Sequence, residues 1–339
     1  MRATIIHGPK DIRLETTADP ALQAATDAIV RITAACICGS DLWHYRGLSK
    51  GQVFPRTIGH ECLGEIVEIG TDVEDFAIGD RVVVPFNHCC GRCTNCLAGV
   101  QSACLQRSLT TSGQAEYARV GHADASLMRI ETDDHDRIPS LLALSDVMAT
   151  GWHAAVCAGV TAGMTVVVVG DGAVGLCGVL AAQQLGAERI IAMSRHEDRQ
   201  RIATAFGATD LVAERGADGE SRVKDLTDGI GADAVLECVG TGESLATAYA
   251  IARPGSTVGF VGVPHGVENV PMFVGFAKNL GLRGGSAPVR KYLPTLLPLV
   301  ESGAITPGLV FDLDLSLDAV AEGYLAMDTR RATKVLLRP

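Results

Sequence analysis

The chain has 339 residues, 47% of them hydrophobic, and a formal net charge of −10. This length suits two domains with sizeable cores, and the acidity argues against a nucleic-acid partner, because phosphate binding requires a basic surface. The start MRATIIHGPKDIRLE lacks the apolar run of a signal peptide, and no apolar segment approaches the roughly 18 residues of a membrane helix. We therefore expect a cytoplasmic protein with reduced thiols and no membrane partner.

The region from residue 1 to about residue 150 is predicted to be β-rich. Short β-branched runs are separated here by Gly, Pro and Asp, which is typical of strands joined by turns. The predicted strands are ATII, AIVRITA, LGEIVEIG and DRVVVP.

From residue 151 to residue 287 predicted strands alternate with predicted helices. The strands are TVVVVG, RIIAM, ADAVLECVG and STVGFVG, and the helices are AVGLCGVLAAQQL, EDRQRIATAF and SLATAYAIA. This alternation predicts a parallel, doubly wound sheet with helices on both faces. The tail, residues 288–339, carries a further helix, YLPTLLPLVES, and a last strand, KVLLRP, which we expect to return to the first domain.

Five cysteines lie close together between residues 89 and 104. In a reducing compartment such a cluster favours a metal site over disulfides. Two residues separate Cys90 from Cys93 and Cys93 from Cys96, and Cys104 follows, so four thiolates can close a tetrahedral zinc shell with no open position. Cys89 can replace Cys90 only by widening the first gap to three residues. The sequence therefore predicts a structural zinc on Cys90, Cys93, Cys96 and Cys104, with a metal-free thiol-rich loop as the alternative.

The stretch VVVVGDGAVG ends a predicted strand and opens a predicted helix. Its glycines match the dinucleotide-binding fingerprint in the context that this motif requires. Gly170 permits a tight turn, Gly172 lets the backbone approach a pyrophosphate, and Gly175 lets the helix lie close to the sheet. Free N–H groups at the helix start attract phosphate. The predicted cofactor contacts are Gly170, Gly172, Ala173, Val174 and Gly175, and a glycine-rich turn without a ligand is the alternative.

The residue 19 positions beyond Gly175 is Ser194, followed by Arg195 and His196. An acidic residue about 20 positions on would hold a free ribose 2′-hydroxyl. A hydroxyl beside a cation suits a 2′-phosphate better. These three residues are therefore predicted to bind NADP in preference to NAD, with NAD still possible. The alternative is a polar strand end in which His196 is solvated.

Two segments of the first domain, ACICGSD and TIGHECLGE, supply further zinc-type ligands. They carry Cys38 and His60, with Glu61 beside the histidine. A catalytic zinc keeps three protein ligands and one open position. Spacing does not identify the third ligand, for which Asp146, Asp41 and Glu61 are the candidates.

Taken together, these segments resemble the zinc-containing medium-chain alcohol dehydrogenases over almost the whole chain. The motifs that carry the resemblance are CGSD, GHECLGEIVEIG, GDRVVV, CGRCTNC with a later Cys, SDVMATGWHAA and VVVVGDGAVG. The resemblance implies a mixed α/β fold of two domains. A β-rich GroES-like catalytic domain would comprise residues 1–150 and 288–339, with a structural-zinc lobe near residues 89–104, and a Rossmann domain would comprise residues 151–287.

The resemblance also implies roles for individual residues. Cys38, His60 and Asp146 would bind a catalytic zinc, which gives two zinc ions per chain with the structural one. Glu61 would lie on the metal or beside it, and Asp41 would orient His60. The four-cysteine set matches the family's structural-zinc lobe in order and spacing, whereas Cys89 has no counterpart there and is interpreted as a bystander thiol.

The predicted proton path and substrate pocket rest on the same resemblance. Ser40 occupies the position of the hydroxyl that accepts the alcohol proton. Many relatives carry a histidine three residues further on, but this chain has Trp43 there and His44 next. His44 or a water molecule would then pass the proton onward. Phe86 falls at an aromatic substrate-contact position, and Trp43 and Tyr117 are candidates for apolar pocket walls, which weakly favours an apolar alcohol.

The predicted function is a zinc-dependent alcohol dehydrogenase that transfers hydride between an alcohol, or its aldehyde or ketone, and NAD(P). A sugar, polyol or amino-alcohol dehydrogenase of the same family is one alternative. A non-catalytic dinucleotide-binding relative is another, although the retention of Cys38, Ser40, His60 and Asp146 argues against it. The resemblance further implies a homo-dimer or homo-tetramer.

Overall fold

The computed structural model describes residues 1–49, 51–267 and 269–339. The chain divides into two compact units. One unit comprises Met1–Ala149 together with Pro288–Pro339, and the other comprises Thr150–Ala287.

The first unit is built mainly of β-strands. They are β1 (Arg2–Gly8), β2 (Asp11–Thr16), β3 (Ala28–Cys36), β4 (Arg56–Thr57), β5 (Glu61–Ile69), β6 (Arg81–Val84), β7 (Asn87–His88), β8 (Ser108–Leu109), β9 (Tyr117–Val120), β10 (Met128–Arg129), β17 (Leu313–Ser316) and β18 (Val335–Arg338). The main sheet has the order β10-β6-β5-β3-β18-β17, with β9 also paired to β3, and smaller sheets have the orders β2-β1-β4 and β7-β8. The last strand pairs antiparallel with β3 through Leu336 and Cys36, so the C-terminal tail completes the sheet of the first domain.

Short helices connect these strands. They are α1 (Asp41–Tyr45), α2 (Thr94–Leu97), α3 (Ala123–Ser126), α4 (Ile138–Ala143), α11 (Val289–Glu301) and α12 (Val320–Asp328), with 3₁₀ turns at residues 101–103, 135–137, 307–310 and 317–319. A further helix, α5 (Val147–Ala158), runs from the first unit into the second.

The second unit is a six-stranded parallel sheet with helices between successive strands. Its strands are β11 (Thr165–Val169), β12 (Arg189–Met193), β13 (Asp210–Val212), β14 (Ala232–Glu237), β15 (Ala252–Phe260) and β16 (Gly281–Gly284). Its helices are α6 (Ala173–Gln184), α7 (Glu197–Ala205), α8 (Gly216–Leu226), α9 (Gly242–Ile251) and α10 (Met272–Lys278). The strand order β13-β12-β11-β14-β15-β16 is the doubly wound order in which a dinucleotide binds beside the first strand. The predicted mixed α/β fold with a β-rich domain and a Rossmann domain is confirmed.

The central strand β11 shows why the sequence pattern identified this sheet. Val166, Val167 and Val168 are all fully buried, because helices cover both faces of a parallel sheet. A continuous run of β-branched residues is therefore favourable here, where an alternating pattern would place polar side chains in the core.

Among the described residues, no single helix is long and apolar enough to cross a membrane. Two consecutive helical segments, His135–Ala143 and Val147–Ala158, are together long and apolar enough for a membrane span, but they meet at a 45° bend.

Candidate metal centres and cofactor loop

Four thiols converge in the segment that contains α2. The Sγ atoms of Cys93 and Cys96 are 3.5 Å apart, and those of Cys90 and Cys104 are also 3.5 Å apart. The Sγ atoms of Cys93 and Cys104 are 3.9 Å apart. A tetrahedral zinc with Zn–S bonds of about 2.3 Å requires Sγ–Sγ distances of about 3.8 Å. The four side chains therefore fit a closed zinc shell as they stand.

Backbone N–H groups point at these sulfur atoms. Cys104 Sγ accepts hydrogen bonds from the N–H of Cys90 at 3.2 Å and of Gln106 at 3.3 Å. The N–H groups of Leu105 and Cys96 lower the pKa of Cys93 to about 6, whereas burial raises the pKa of Cys96. Hydrogen bonds to sulfur favour the thiolate, which is the form that ligates zinc.

Cys89 is not part of this convergent group. Its side chain is buried, at 1% exposure, and its thiol donates to the carbonyl of Ala125 at 3.3 Å. Burial raises the pKa of Cys89. A protonated, hydrogen-bonded thiol is a poor zinc ligand.

The second group brings together residues from three separate segments. Cys38 follows β3, His60 precedes β5, and Asp146 lies between α4 and α5. Asp146 Oδ2 is 3.4 Å from His60 Nε2 and 3.8 Å from Cys38 Sγ. A tetrahedral zinc with ordinary bond lengths to N, O and S requires separations of about 3.4–3.6 Å. The set also includes Glu61, and one ligand atom from each of the four residues lies within 4.8 Å of the others.

The protonation of His60 reflects the anionic groups around it. Burial lowers its pKa, but Asp41, Cys38 and the hydrogen bond to Asp146 outweigh burial, so the pKa lies well above the usual value. A proton on Nε2 thus satisfies the negative charge of the neighbouring groups. A zinc ion bound to the same atom would replace that proton and supply the positive charge instead.

Asp41 holds the other side of the imidazole ring. Its Oδ1 lies 3.4 Å from His60 Nδ1, and its Oδ2 accepts the backbone N–H of Cys38 at 3.1 Å. Burial raises the pKa of Asp41, but the His60 cation and the hydrogen bonds lower it to below its usual range. Asp41 therefore lies outside the ligand set and orients a ligand, which is a common arrangement at zinc sites.

Glu61 lies at the metal site but is held by a buried cation. Its Oε1 accepts a hydrogen bond from Lys334 Nζ at 2.8 Å, and its Oε2 accepts one from the thiol of Cys36 at 3.2 Å. Lys334 is 1% exposed and Glu61 is 0% exposed. Neither charge could be buried alone without a large desolvation cost, so each depends on the other.

The predicted proton-path residues lie around α1. Ser40 is half-buried at the start of this helix, and His44 lies within it. His44 is close enough to Asp41 to lower the pKa of that carboxyl group.

One of the predicted pocket aromatics, Phe86, contacts a metal-site residue. The ring of Phe86 packs edge-on against His60 with 6.1 Å between centroids. Tyr117 lies on β9 opposite Arg31, five residues before Cys36 along β3. Trp43 lies on α1 and is half-buried.

The glycines of the cofactor loop differ in their surroundings. Gly170 has a φ of +116°, which a side chain would strain. A Cβ on Gly175 would lie 2.0 Å from the Gly170 carbonyl oxygen, whereas a Cβ on Gly172 would meet nothing within 4 Å. The loop therefore combines a tight turn, a close helix–strand approach and an open space at the start of α6, where Ala173 and Val174 supply backbone N–H groups. This is the cradle that a pyrophosphate requires.

A carboxylate lies near the end of β12, but it comes from the glycine loop. Asp171 Oδ2 accepts a hydrogen bond from the buried hydroxyl of Ser194 at 3.0 Å and from the N–H of Arg195 at 3.2 Å. Asp171 Oδ1 pairs with Arg199 at 3.2 Å. Burial raises the pKa of Asp171, but the Arg199 cation and the Ser194 hydroxyl lower it, so it stays ionised. The Ser194 hydroxyl thus already has an acceptor.

Two further side chains define the charge at this strand end. Arg195 is exposed and makes no ion pair within residues 1–49, 51–267 and 269–339. The neighbouring Asp198 pairs with Arg201 instead. Arg215 donates to the Met193 carbonyl at 3.2 Å. Burial lowers the pKa of Arg215, the Asp171 carboxylate raises it and Arg195 lowers it, so Arg215 lies within electrostatic reach of both Asp171 and Arg195. His196 precedes α7 and is half-buried.

Several residues of these sites were not predicted from the sequence. They are Gln114, Tyr324, Lys334, Asp171, Arg199 and Arg215. Asp171 could have been found, because it lies inside the glycine motif between Gly170 and Gly172. An acidic residue at that position can reach the end of β12. The others contact the sites only through the fold and carry no local signal.

The fold and the two ligand groups define the class of two-domain, zinc-type dehydrogenases. Sequence profiles agree: residues 24–131 match the alcohol dehydrogenase GroES-like domain, and residues 173–302 match the zinc-binding dehydrogenase domain. A probable zinc-binding alcohol dehydrogenase of Mycobacterium tuberculosis is 35% identical and covers 100% of this chain and 89% of its own length.

Solved structures are similar over the same extent. Alcohol dehydrogenase TADH from Thermus sp. ATN1 has a TM-score of 0.91 and 32% identity, covering 100% of this chain and 99% of its own. A candidate zinc-binding dehydrogenase from Sinorhizobium meliloti, solved bound to NADP, has a TM-score of 0.84 and 28% identity, covering 100% and 99%. The chain belongs to the zinc-containing medium-chain alcohol dehydrogenase family.

Proposed function

We propose that the protein is a zinc-dependent alcohol dehydrogenase that interconverts an alcohol and its aldehyde or ketone, with NADP preferred over NAD. The observation that carries the proposal is the convergence of Cys38, His60 and Asp146 at tetrahedral spacing from three separate segments. This set offers three protein ligands, which is the number that leaves a catalytic zinc one open position. The four-cysteine group would hold a second, structural zinc.

The chain's own residues would act around the substrate oxygen. A zinc ion at this centre supplies Lewis-acid stabilisation of negative charge on the oxygen of the alcohol or carbonyl group. Ser40 would accept the alcohol proton, and His44 on the same helical segment would pass it on. Phe86, packed on His60, would form an apolar wall beside the reacting carbon. Asp41 would keep His60 in the orientation that presents Nε2.

The preference for NADP is supported by the charges at the end of β12. The Asp171 carboxylate, which contacts the Ser194 hydroxyl and the Arg195 N–H, is paired with Arg199. Arg195 makes no ion pair among the described residues and can offer two donors to a 2′-phosphate. Arg215 adds a second cation nearby. A charge-assisted phosphate contact of about 1.5–3 kcal/mol corresponds to roughly ten- to hundred-fold discrimination.

An alcohol and carbonyl panel assayed with both cofactors tests the proposal. It should include apolar primary and secondary alcohols, polyols and amino-alcohols. Turnover of apolar alcohols above polyols is expected from the Phe86 wall, whereas turnover of polyols alone would favour the sugar or polyol alternative. Absence of turnover in a zinc-replete protein that binds dinucleotide would favour the non-catalytic alternative.

The cofactor preference is tested by kcat/KM for NADP and NAD with one alcohol. Arg195→Ala should remove most of the preference, and Ser194→Asp should reverse it, because a carboxylate there repels a 2′-phosphate and binds a 2′-hydroxyl. Equal or better efficiency of the unaltered protein with NAD would refute the preference. A preference that survives Arg195→Ala would leave the preference standing and refute its assignment to Arg195.

We also propose that the protein works in the cytoplasm as a homo-dimer or homo-tetramer. The grouping of four cysteines at one candidate metal site supports a reducing compartment, where clustered thiols bind metals rather than form disulfides. The oligomer rests on family membership, and light scattering after size-exclusion chromatography tests it.

A further inference from the structure

A buried chain of hydrogen bonds leads from His60 away from the metal position. Asp41 Oδ1 faces His60 Nδ1 at 3.4 Å, and Asp41 Oδ2 accepts Gln114 Nε2 at 3.1 Å. Gln114 Oε1 in turn accepts the hydroxyl of Tyr324 at 3.0 Å. We propose that Gln114, held in one orientation by Tyr324, is a positioning residue that sets the zinc affinity of the catalytic centre through Asp41 and His60. The inference rests on the proposed catalytic zinc.

The backbone of Gln114 is fixed from both sides. Its N–H donates to the carbonyl of Ile58 at 3.4 Å, and its carbonyl accepts the N–H of Thr4 at 2.9 Å. Gly59 has a φ of +97°, and a Cβ there would lie 2.5 Å from Gln114 Cγ. The glycine directly before His60 therefore makes room for the Gln114 side chain.

The hydrogen bonds select one orientation of the amide. Gln114 Nε2 donates to the Cys36 carbonyl at 3.2 Å as well as to Asp41. A flipped amide would place its oxygen against two acceptors, which is unfavourable in a buried site. Burial and the negative charge of Asp41 raise the pKa of Tyr324 well above its usual value, so its hydroxyl stays protonated and donates to Oε1. Tyr324 thus determines that the NH₂ end of Gln114 faces Asp41.

This network gives Gln114 a specific role at the metal. All three side chains are inaccessible to water: Asp41 is 2% exposed, and Gln114 and Tyr324 are 0% exposed. With Gln114 removed, one buried lone pair of Asp41 loses its donor, and water cannot replace it without opening the core. The Asp41 carboxylate then keeps the backbone N–H of Cys38 as a donor but is held less firmly, so it orients the His60 imidazole less well for ligation. Partners of this kind typically change metal affinity ten- to hundred-fold.

The test compares zinc affinities at the two centres by competition with a chromophoric chelator. The variants are Gln114→Leu and Tyr324→Phe. The control is Thr4→Val, since the Thr4 hydroxyl is buried beside Gln114 without a hydrogen-bond partner among the described residues. Gln114→Leu should weaken one zinc about ten- to hundred-fold and leave the four-cysteine zinc unchanged. Tyr324→Phe should weaken the same zinc about two- to ten-fold, and Thr4→Val should change neither.

Cobalt substitution adds a readout that a general loss of stability would not move. The spectrum of cobalt at the Cys38–His60–Asp146 centre should shift in Gln114→Leu, while that of cobalt bound to four thiolates stays the same. Wild-type zinc affinity in both variants, or equal weakening at both centres, would overturn the inference. If Gln114→Leu does not fold, Tyr324→Phe decides alone. A wild-type chain that binds zinc only at the four cysteines would overturn the proposed function, and this inference with it.

Discussion

Replacing Lys334 with methionine removes the cation from the buried pair beside the metal centre. Lys334 Nζ lies 2.8 Å from Glu61 Oε1, and both side chains are almost fully inaccessible to water. After the substitution, the Glu61 carboxylate keeps the weak thiol donor of Cys36 as its side-chain hydrogen bond within the part of the chain that the structure describes. An uncompensated buried charge of this kind costs about 3–5 kcal/mol. We expect Lys334→Met to destabilise the first unit by that amount.

The double variant Lys334→Met with Glu61→Met separates the ion pair from packing. Two apolar side chains of similar size leave no unpaired charge, so its stability should return to within about 1 kcal/mol of the parent or exceed it. Each single variant should be less stable than the double variant. The coupling energy from the cycle should therefore be at least about 3 kcal/mol.

Urea unfolding followed by tryptophan fluorescence measures the cycle. The chain has two tryptophans, so a Trp152→Phe background leaves Trp43, which lies in the same unit as Lys334 and Glu61. All four proteins carry this background and the same measured zinc content. Additive losses, with the double variant the least stable of the four, would refute the buried-pair reasoning.

Two further predictions use matched pairs of substitutions. Cys93→Ser should remove one zinc per chain and lower stability, whereas Cys89→Ser should leave the zinc content unaltered. Metal analysis measures both. Loss of zinc from the Cys89 variant would contradict the choice of the four ligands. Gly172→Ala should fold like the parent but bind dinucleotide weakly, because its methyl group meets no protein atom and fills the pyrophosphate space. Gly175→Ala should instead destabilise the second unit, since its methyl group meets a backbone carbonyl at 2.0 Å. Thermal melting and fluorescence titration with reduced cofactor would separate the loss of stability from the loss of binding. Unimpaired binding by Gly172→Ala would count against a pyrophosphate site at this loop.

Local patterns predicted much of the fold. The valine run of β11 and the alternation that follows it indicated the parallel sheet, because buried parallel strands and amphipathic helices leave strong local signals. The β2 strand, α10 and α12 were not predicted. These elements acquire their environment from distant segments, and their sequences carry no comparable periodicity.

The candidate sites were predictable to the extent that their ligands are chemically distinctive. Cysteine spacing and the glycine motif pointed directly at two of them. Gln114 and Lys334 were missed because a glutamine and a lysine are ordinarily exposed residues, and only the pairing of distant strands places them in the core. Asp171 shows a different limit: a carboxylate contacts Ser194 at the end of β12, but it comes from the loop after β11 and is paired with Arg199, which the sequence of β12 does not reveal.

The most direct test of the central claim is the metal content and turnover of His60→Ala, measured with its dinucleotide affinity. We expect this variant to bind one zinc per chain where the parent binds two. Its kcat/KM for the best alcohol should fall at least about a hundred-fold, since several kcal/mol of transition-state stabilisation are lost. Its affinity for reduced cofactor should be unchanged, because the glycine loop belongs to the other unit. A variant that keeps parental turnover, or keeps both zinc ions, would contradict the assignment of this centre.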